Sequence, residues 1–142
     1  MSLNSEERRA IVSLEYEKAI NTFDNILPLV ANSMWDFVAN RLYYTVFHAT
    51  LALLVNDGHK TSTHRGVVAL FGMHYIKTGI FPTEYGKMYS RLQTMRDEAD
   101  YNCSFKATQE DVEPYIEQVQ NFLAKVRDRL SCLDDIQDSK SD

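Results

Sequence analysis

The sequence contains little of the two residues that most often interrupt helices, with five glycines and three prolines among 142 residues. Such a composition favours helices over strands and turns. No run of about 20 residues is apolar and free of charge, so we expect no membrane-spanning helix. The first residues lack a basic segment followed by an apolar run, so we also expect no secretory signal. We therefore expect a cytoplasmic helical protein that does not enter the membrane.

Patterns that would hold a metal or a cofactor are also missing. The two cysteines, Cys103 and Cys132, lie far apart and form no CxxC pair, as expected of reduced thiols in a cytosol. The four histidines never show the H-x-x-x-H or H-E-x-x-H spacing of zinc sites. Glycine-rich phosphate loops and a serine nucleophile elbow are absent from the sequence too. The sequence thus predicts no metal and no cofactor.

The charge of the chain restricts how it could contact nucleic acid. The formal net charge is −5, and residues 131–142 contribute −3 of it through four Asp and one Lys. The remainder therefore carries only −2 (14 basic against 16 acidic side chains). Proteins that coat long nucleic acids are usually strongly basic. Any contact with RNA or a nucleotide must therefore be local.

Apolar residues recur at helical spacing along most of the chain, which predicts an all-α, up-and-down bundle of four or five helices. The bundle forms a single domain over residues 1–133, followed by an acidic disordered tail at 134–142. We expect Pro28 to kink the first helix or end it early. The predicted helices span about 5–30, 33–56, 64–78, 83–100 and 109–133.

Polar residues mark where several of these helices begin. Ser33-x-x-Asp36 and Thr108-x-x-Asp111 are start signals for the second and the last helix. Ser62 or Thr63 is expected to cap the third helix, and Thr83 the fourth. The second helix is apolar on nearly every side from 42 to 55, which predicts that it lies at the centre of the bundle. In that position Phe47→Ala should cost about 3–5 kcal/mol.

The second helix nevertheless carries polar groups within the segment NRLYYTVFHATLALLV, residues 40–55. Arg41, Thr45 and His48 follow the spacing i, i+4, i+7, so they share one helix face, with Tyr44 beside them. Arg41 and His48 would lie about 10 Å apart along the axis. A phosphate could bridge them, one side chain acting as a fixed cation and the other as a proton donor or acceptor. The alternative is a structural seam, with Arg41 paired to a carboxylate.

The segment LQTMRDEADYN, residues 92–102, carries a second group of polar side chains. Arg96 and Asp100 are spaced i, i+4, and Tyr101 follows. These residues form either an ordinary surface ion pair near a helix end or a site in which Arg96 contacts a phosphate and Tyr101 offers its hydroxyl.

The segment KTSTHRG, residues 60–66, places His64 and Arg65 at a predicted helix N-terminus. Helix N-termini attract anions, so these two side chains are candidates for binding a phosphate. A plain capping loop with a solvated basic residue is the alternative.

Taken in their order along the chain, the three segments resemble the HEPN domain, a helical bundle of prokaryotic cytosolic proteins. The resemblance covers about residues 10–130. The nearest subgroup carries an Arg-x-x-Ala-Asp-Tyr ending on the fourth helix, matched here by Arg96, Ala99, Asp100 and Tyr101. The resemblance implies a homodimer and, in active relatives, metal-independent RNA cleavage by an Arg-x(4–6)-His motif at the dimer interface. It also implies pairing with a small nucleotidyltransferase in a toxin–antitoxin or defence system.

The chain departs from this pattern because no His follows Arg96 at the required distance. Arg41-x(6)-His48 fits the spacing, but on an earlier helix. Two functions stay open: an RNA- or nucleotide-binding ribonuclease toxin, and a non-catalytic module that docks a minimal nucleotidyltransferase, for which Tyr101 could be the modified residue. The candidate catalytic residues are Arg41, His48 and Arg96, and the candidate binding residues are Tyr44, Thr45, His64, Arg65, Asp100 and Tyr101.

Overall fold

A computed structural model describes residues 3–60 and 63–130, and every regular element within these ranges is helical. This confirms the predicted all-α bundle. Ser62 and the predicted acidic tail lie outside the described residues. The elements are α1 (Ser5–Asp24), α2 (Ile26–Ala31), α3 (Trp35–Asn56), α4 (His64–Phe71), a π-helical turn (Gly72–Ile76), α5 (Thr83–Tyr101) and α6 (Gln109–Arg129).

Helix α3 lies at the centre of the bundle, as its apolar sequence predicts. It packs against α1, α2, α4, α5 and α6. Its buried residues point in nearly every direction around the axis, as expected of a central helix. They are Val38, Ala39, Leu42, Tyr43, Thr45, Val46, Ala49, Thr50, Ala52, Leu53 and Leu54. Phe47 packs against this core but keeps part of its surface exposed.

The single helix predicted for 5–30 is divided at Asn25 into α1 and α2. Pro28 explains the position of the break. A proline has no N–H to donate to the carbonyl four residues earlier, and its ring clashes with that carbonyl. For Pro28 this carbonyl belongs to Asp24, the last residue of α1. The first helix therefore ends early at Asp24 and does not continue as one kinked helix.

The capping predictions succeeded at two helices. Thr108 and Asp111 form a reciprocal capping box at the start of α6. Thr63 accepts a hydrogen bond from the Gly66 amide, 2.9 Å away, at the start of α4. At the other ends, Gly58 follows α3 and Gly79 follows the π-helical turn, both at positive φ. Both glycines thus follow helical segments in the left-handed conformation that glycine adopts readily.

Two other capping predictions are wrong. Helix α3 begins at Trp35 after Met34, and Ser33 adopts a positive φ of 55° without capping it. The carboxylate of Asp36 instead accepts a hydrogen bond from the Ala107 amide in the loop before α6. Thr83 is the first residue of α5, behind Pro82, and no side chain caps that helix. A hydroxyl near a predicted helix start is therefore not sufficient to identify the capping residue, because a tertiary contact or a proline can determine where the helix begins.

Truncating a buried leucine of α3 should destabilise the protein far more than truncating an exposed one. Leu53 is 0% exposed, and we expect Leu53→Ala to lower the free energy of unfolding by about 2–5 kcal/mol. Leu27 on α2 is 72% exposed, so Leu27→Ala should change that free energy by less than about 0.5 kcal/mol. Urea denaturation of both variants measures the difference. Equal losses would contradict the central position of α3.

Candidate functional site

Two cationic and two imidazole side chains surround the ring of Tyr44. The guanidinium carbon of Arg41 lies 5.5 Å from the centre of this ring, and that of Arg96 lies 5.7 Å from it. The ring centres of His64 and His48 lie 6.0 and 6.4 Å away. We call these five residues the Tyr44 cluster. It unites members of all three segments that the sequence predicts to be functional.

Three helices build the Tyr44 cluster. Arg41, Tyr44 and His48 come from one face of α3, at the spacing i, i+3, i+7. His64 is the first residue of α4, and Arg96 lies in the last third of α5. Both of these helices pack against α3. The cluster therefore depends on the tertiary packing of the bundle and not on one continuous motif.

The guanidinium group of Arg96 packs against aromatic rings and has two carboxylates nearby. Its guanidinium carbon lies 5.0 Å from the ring centre of Tyr43, a fully buried residue, within the range of a cation–π interaction. Its distances to Asp97 and Asp100 are longer than a hydrogen bond, at 3.9 and 3.8 Å, and both carboxylates are about half exposed. The predicted ion pair with Asp100 is thus present but loose. The positive charge of Arg96 remains available to a ligand.

Arg41 has no carboxylate partner among the described residues. Its Nε and Nη2 atoms donate hydrogen bonds to the side-chain oxygen of Asn40, at 3.2 and 2.7 Å. The structural alternative, in which Arg41 is neutralised by a carboxylate, is therefore not what the described residues show. Arg41 contributes a second guanidinium to the cluster, and this one has no carboxylate partner within the described residues.

His48, in contrast, is held by a carboxylate of its own subunit. Its Nδ1 atom lies 2.7 Å from Oε2 of Glu15 on α1, and both side chains are mostly buried. The hydrogen bond from His48 lowers the pKa of Glu15, while burial acts in the opposite direction. The contact with Glu15 therefore fits the structural alternative for Nδ1 of His48. Nε2, the other ring nitrogen, is not bound to Glu15.

The ring of His64 lies against aromatic side chains. Its Nδ1 atom shares a hydrogen bond of 2.8 Å with Oη of Tyr43, and its ring stacks on Phe47 at 4.2 Å between centres. Burial lowers the pKa of His64, and the charges of Arg96 and His48 lower it further. Burial likewise raises the pKa of Tyr43 to about 12, so this phenol keeps its proton at neutral pH.

The sequence analysis did not single out Glu15 or Tyr43. Glu15 had a detectable signal, because it lies three residues after Val12 and four before Ala19, on the buried stripe of α1. A carboxylate on such a stripe requires a partner. Tyr43 had no comparable signal, since its neighbours on α3 are apolar as well.

The remaining predicted site residues lie at different places. Thr45 is fully buried, and its hydroxyl donates to the carbonyl of Arg41, 2.8 Å away, so its assignment to a ligand-binding face is corrected. Arg65 is exposed on α4. Asp100 and Tyr101 are exposed at the end of α5, and Tyr101 reaches 88% exposure. Within the described residues, neither Arg65 nor Tyr101 makes a ring contact with Tyr44.

Metal-binding and membrane-spanning features were searched in the described part of the chain. Residues 3–60 and 63–130 contain no group of three His, Cys, Asp or Glu side chains arranged to hold a metal ion. No helix in these ranges is long and apolar enough to cross a bilayer.

Comparison with known proteins gives one consistent family. The family model described as HEPN domain matches residues 12–129. A UPF0332 protein of Thermotoga maritima is 32% identical over 117 residues, which cover 82% of this chain and 89% of that protein. A relative in Methanocaldococcus jannaschii, named "Putative toxin MJ0605", is 28% identical over 128 residues, which cover 90% of this chain and 94% of its own.

Replacing Glu15 should show how much its contact with His48 stabilises the fold. The lowered pKa of Glu15 means that its contribution is present above the unfolded value of 4.5 and is lost as the pH falls through the lower folded value. We expect Glu15→Gln to reduce the free energy of unfolding by about 1 kcal/mol at pH 7. The difference from wild type should shrink below about pH 4. Denaturation at several pH values measures this, and a difference that grows in acid would contradict the assignment.

Proposed function

The chain belongs to the HEPN domain family, and from this premise we propose that it is a toxin-like protein that binds RNA at the Tyr44 cluster and cleaves it without a metal ion. The observation that carries the proposal is the convergence of two guanidinium groups and two imidazoles on one aromatic ring. The names of its relatives support the toxin-like assignment. The substrate and the reaction are inferred from the chemistry of the side chains.

Binding of an RNA phosphate is supported by the state of the two arginines. Guanidinium groups bind phosphate through paired hydrogen bonds, and neither Arg41 nor Arg96 is held in a close ion pair within the described residues. The body of the protein is nearly neutral, so these two cations give a local attraction without a broad basic surface.

An aromatic ring beside the cations would contact a base. Tyr44 lies near both Arg41 and Arg96 and keeps part of its surface exposed. Unpaired bases stack on such rings with little sequence preference, and each stacked base contributes about 1–3 kcal/mol. The cluster is therefore better suited to single-stranded RNA, whose bases are accessible, than to a duplex.

Cleavage of RNA requires proton transfer and stabilisation of charge on the phosphate. An imidazole can accept the proton of a ribose 2′-OH, and a guanidinium can stabilise the negative charge that develops on the phosphate oxygens. Both kinds of group are present around Tyr44. The 2′-OH acts as the nucleophile, so DNA would bind without being cleaved.

We also propose that the protein forms a homodimer through the face of α3 that carries Arg41. Phe37 and Met34 on this side are large apolar residues with 58% and 41% exposure. A second copy of the chain would cover them and bring a second Tyr44 cluster close by. The number of cations near one RNA strand would then double.

Removing single members of the cluster should abolish cleavage without unfolding the protein. We expect wild type to cleave a single-stranded RNA in the presence of EDTA, and Arg41→Ala, Arg96→Ala and His48→Ala each to reduce the rate by at least about 100-fold. Arg91→Ala and His74→Ala serve as matched controls on residues outside the cluster and should retain the wild-type rate. A single-stranded DNA of the same sequence should remain intact.

Background rates that are equal in wild type and all variants would remove the enzymatic claim. A lower melting temperature that accompanies every loss of rate would point to unfolding as its cause. Thermal denaturation of each variant is therefore measured beside the assay.

A second candidate function is a non-catalytic module that docks a minimal nucleotidyltransferase. The observation that favours it is the exposure of Tyr101, whose hydroxyl projects at the end of α5 with 88% of the side chain accessible. A phenol in this position can be reached by a second enzyme. Modification of Tyr101 would add a phosphate charge about one helical turn from Arg96 and so compete with RNA.

Native mass spectrometry separates these assemblies in one experiment. We expect a homodimer for the protein alone, and a complex with added nucleotide mass after co-expression with a nucleotidyltransferase encoded next to its gene. Tyr101→Phe should form the same complex without the added mass, and Tyr115→Phe is the control. A monomer would contradict the proposed dimer, and an unmodified, uncomplexed protein would contradict the docking function.

A further inference from the structure

The two imidazoles of the Tyr44 cluster are held in opposite ways. Nδ1 of His48 contacts a carboxylate, that of Glu15, at 2.7 Å. Nδ1 of His64 contacts a neutral phenol, that of Tyr43, at 2.8 Å. A carboxylate stabilises the protonated form of an imidazole, whereas a buried aromatic environment stabilises the neutral form. The two histidines thus have chemically different partners at Nδ1, an anion for His48 and a neutral hydroxyl for His64.

Both imidazoles flank the same aromatic pair, so they can act on one ligand. The centres of the His48 and His64 rings lie 5.3 and 4.2 Å from that of Phe47. Their distances to the centre of Tyr44 are 6.4 and 6.0 Å. A phosphodiester bound beside these rings would therefore lie near both imidazoles.

The charges that face His48 come from several helices. Glu15 on α1 is its direct partner, and Lys18 lies 3.7 Å from that carboxylate but is half exposed. Helix α3 contributes Arg41 across the Tyr44 ring. The nearest negative charge is that of Glu15, which makes the direct hydrogen bond to His48.

The charges that face His64 are mainly positive. Arg96 on α5 and His48 on α3 both act against its protonation, and Asp97 on α5 acts weakly in the other direction. Tyr43 beneath the ring keeps its proton and is neutral. Among residues 3–60 and 63–130, no carboxylate makes a hydrogen bond to His64, whereas Glu15 contacts His48.

We propose that His64 is the general base and His48 the general acid of the cleavage, with Glu15 as the positioning residue of the acid. The assignment rests on the ribonuclease function proposed above. It departs from the simple expectation that Arg41 and His48 act as the only pair. Pairs of titratable groups in opposing environments are the arrangement that acid–base catalysis uses.

The proposed step balances within the substrate and the two imidazoles. With Nδ1–H donated to Tyr43, Nε2 of His64 takes the proton of the ribose 2′-OH. The 2′-oxygen bonds to phosphorus, and the bond from phosphorus to the 5′-oxygen breaks. Nε2–H of His48 gives its proton to that leaving oxygen, so the products are a 2′,3′-cyclic phosphate and a 5′-hydroxyl. Water then returns both imidazoles to their starting states.

Two substrates that differ in their leaving group distinguish the roles. A dinucleotide such as UpA needs its leaving oxygen protonated, whereas uridine 3′-(4-nitrophenyl phosphate) releases a stable phenolate. We expect His48→Ala to lose at least about 100-fold on the dinucleotide and less than about 10-fold on the nitrophenyl ester. His64→Ala should lose at least about 100-fold on both substrates. His74→Ala is the control and should retain both rates.

Two substitutions at Glu15 test its positioning role. Glu15→Ala removes the carboxylate that contacts Nδ1 of His48, so the rate on the dinucleotide should fall at least about 10-fold while the rate on the nitrophenyl ester changes little. Glu15→Gln keeps an oxygen that can accept the hydrogen bond from Nδ1–H of His48, so it should recover most of that loss. A purely structural role of Glu15 would lower both rates together.

The outcomes separate this inference from the function on which it rests. A wild-type protein that cleaves neither substrate in EDTA would overturn both. Cleavage by wild type together with equal losses of His48→Ala on the two substrates, or a fully active His64→Ala, would overturn only the division between acid and base. Equal losses of Glu15→Ala on the two substrates would overturn the role of Glu15.

Discussion

The stacking of charged side chains on the aromatic face of α3 is the interaction on which the site depends. Arg41 and Arg96 would repel each other in an apolar environment, and each needs a favourable contact there. The rings of Tyr43 and Tyr44 supply it through cation–π interactions, at 5.0 to 5.7 Å. A carboxylate in the same place would neutralise the cations. The aromatic rings stabilise them and leave their charge available to an anion.

The bundle holds this arrangement because α3 supplies the ring face and two other helices supply part of the charges. His64 and Arg96 reach Tyr44 from α4 and α5, which pack directly on α3. A cluster built from three helices is sensitive to their relative positions, and catalytic groups lose efficiency when they are displaced by even about 1 Å. Stability of the core and geometry of the site are therefore linked through α3.

Features that depend on residues near each other in the chain can be predicted from the sequence. Features that depend on residues far apart in the chain are much harder to predict. Apolar periodicity located the helices, and Thr108 with Asp111 gave a correct start for α6. Ser33 and Asp36 fitted the same pattern, but Asp36 bonds to a residue 71 positions away. Glu15 meets His48 across 33 positions, and no local spacing reveals this pair. Arg41 and His48 lie in one segment, and His64 and Arg96 lie in two others, so the convergence of all four is visible only after α3, α4 and α5 pack.

The most direct test of the account is a nuclear magnetic resonance titration with a 2′-O-methyl oligoribonucleotide, which lacks the nucleophile and stays intact. The Nε–Hε signals of Arg41 and Arg96 and the ring signals of His64 should shift together along one binding curve, while those of Arg91 stay in place. Shifts confined to cations outside the Tyr44 cluster, with Arg41 and Arg96 unaffected, would contradict the central claim.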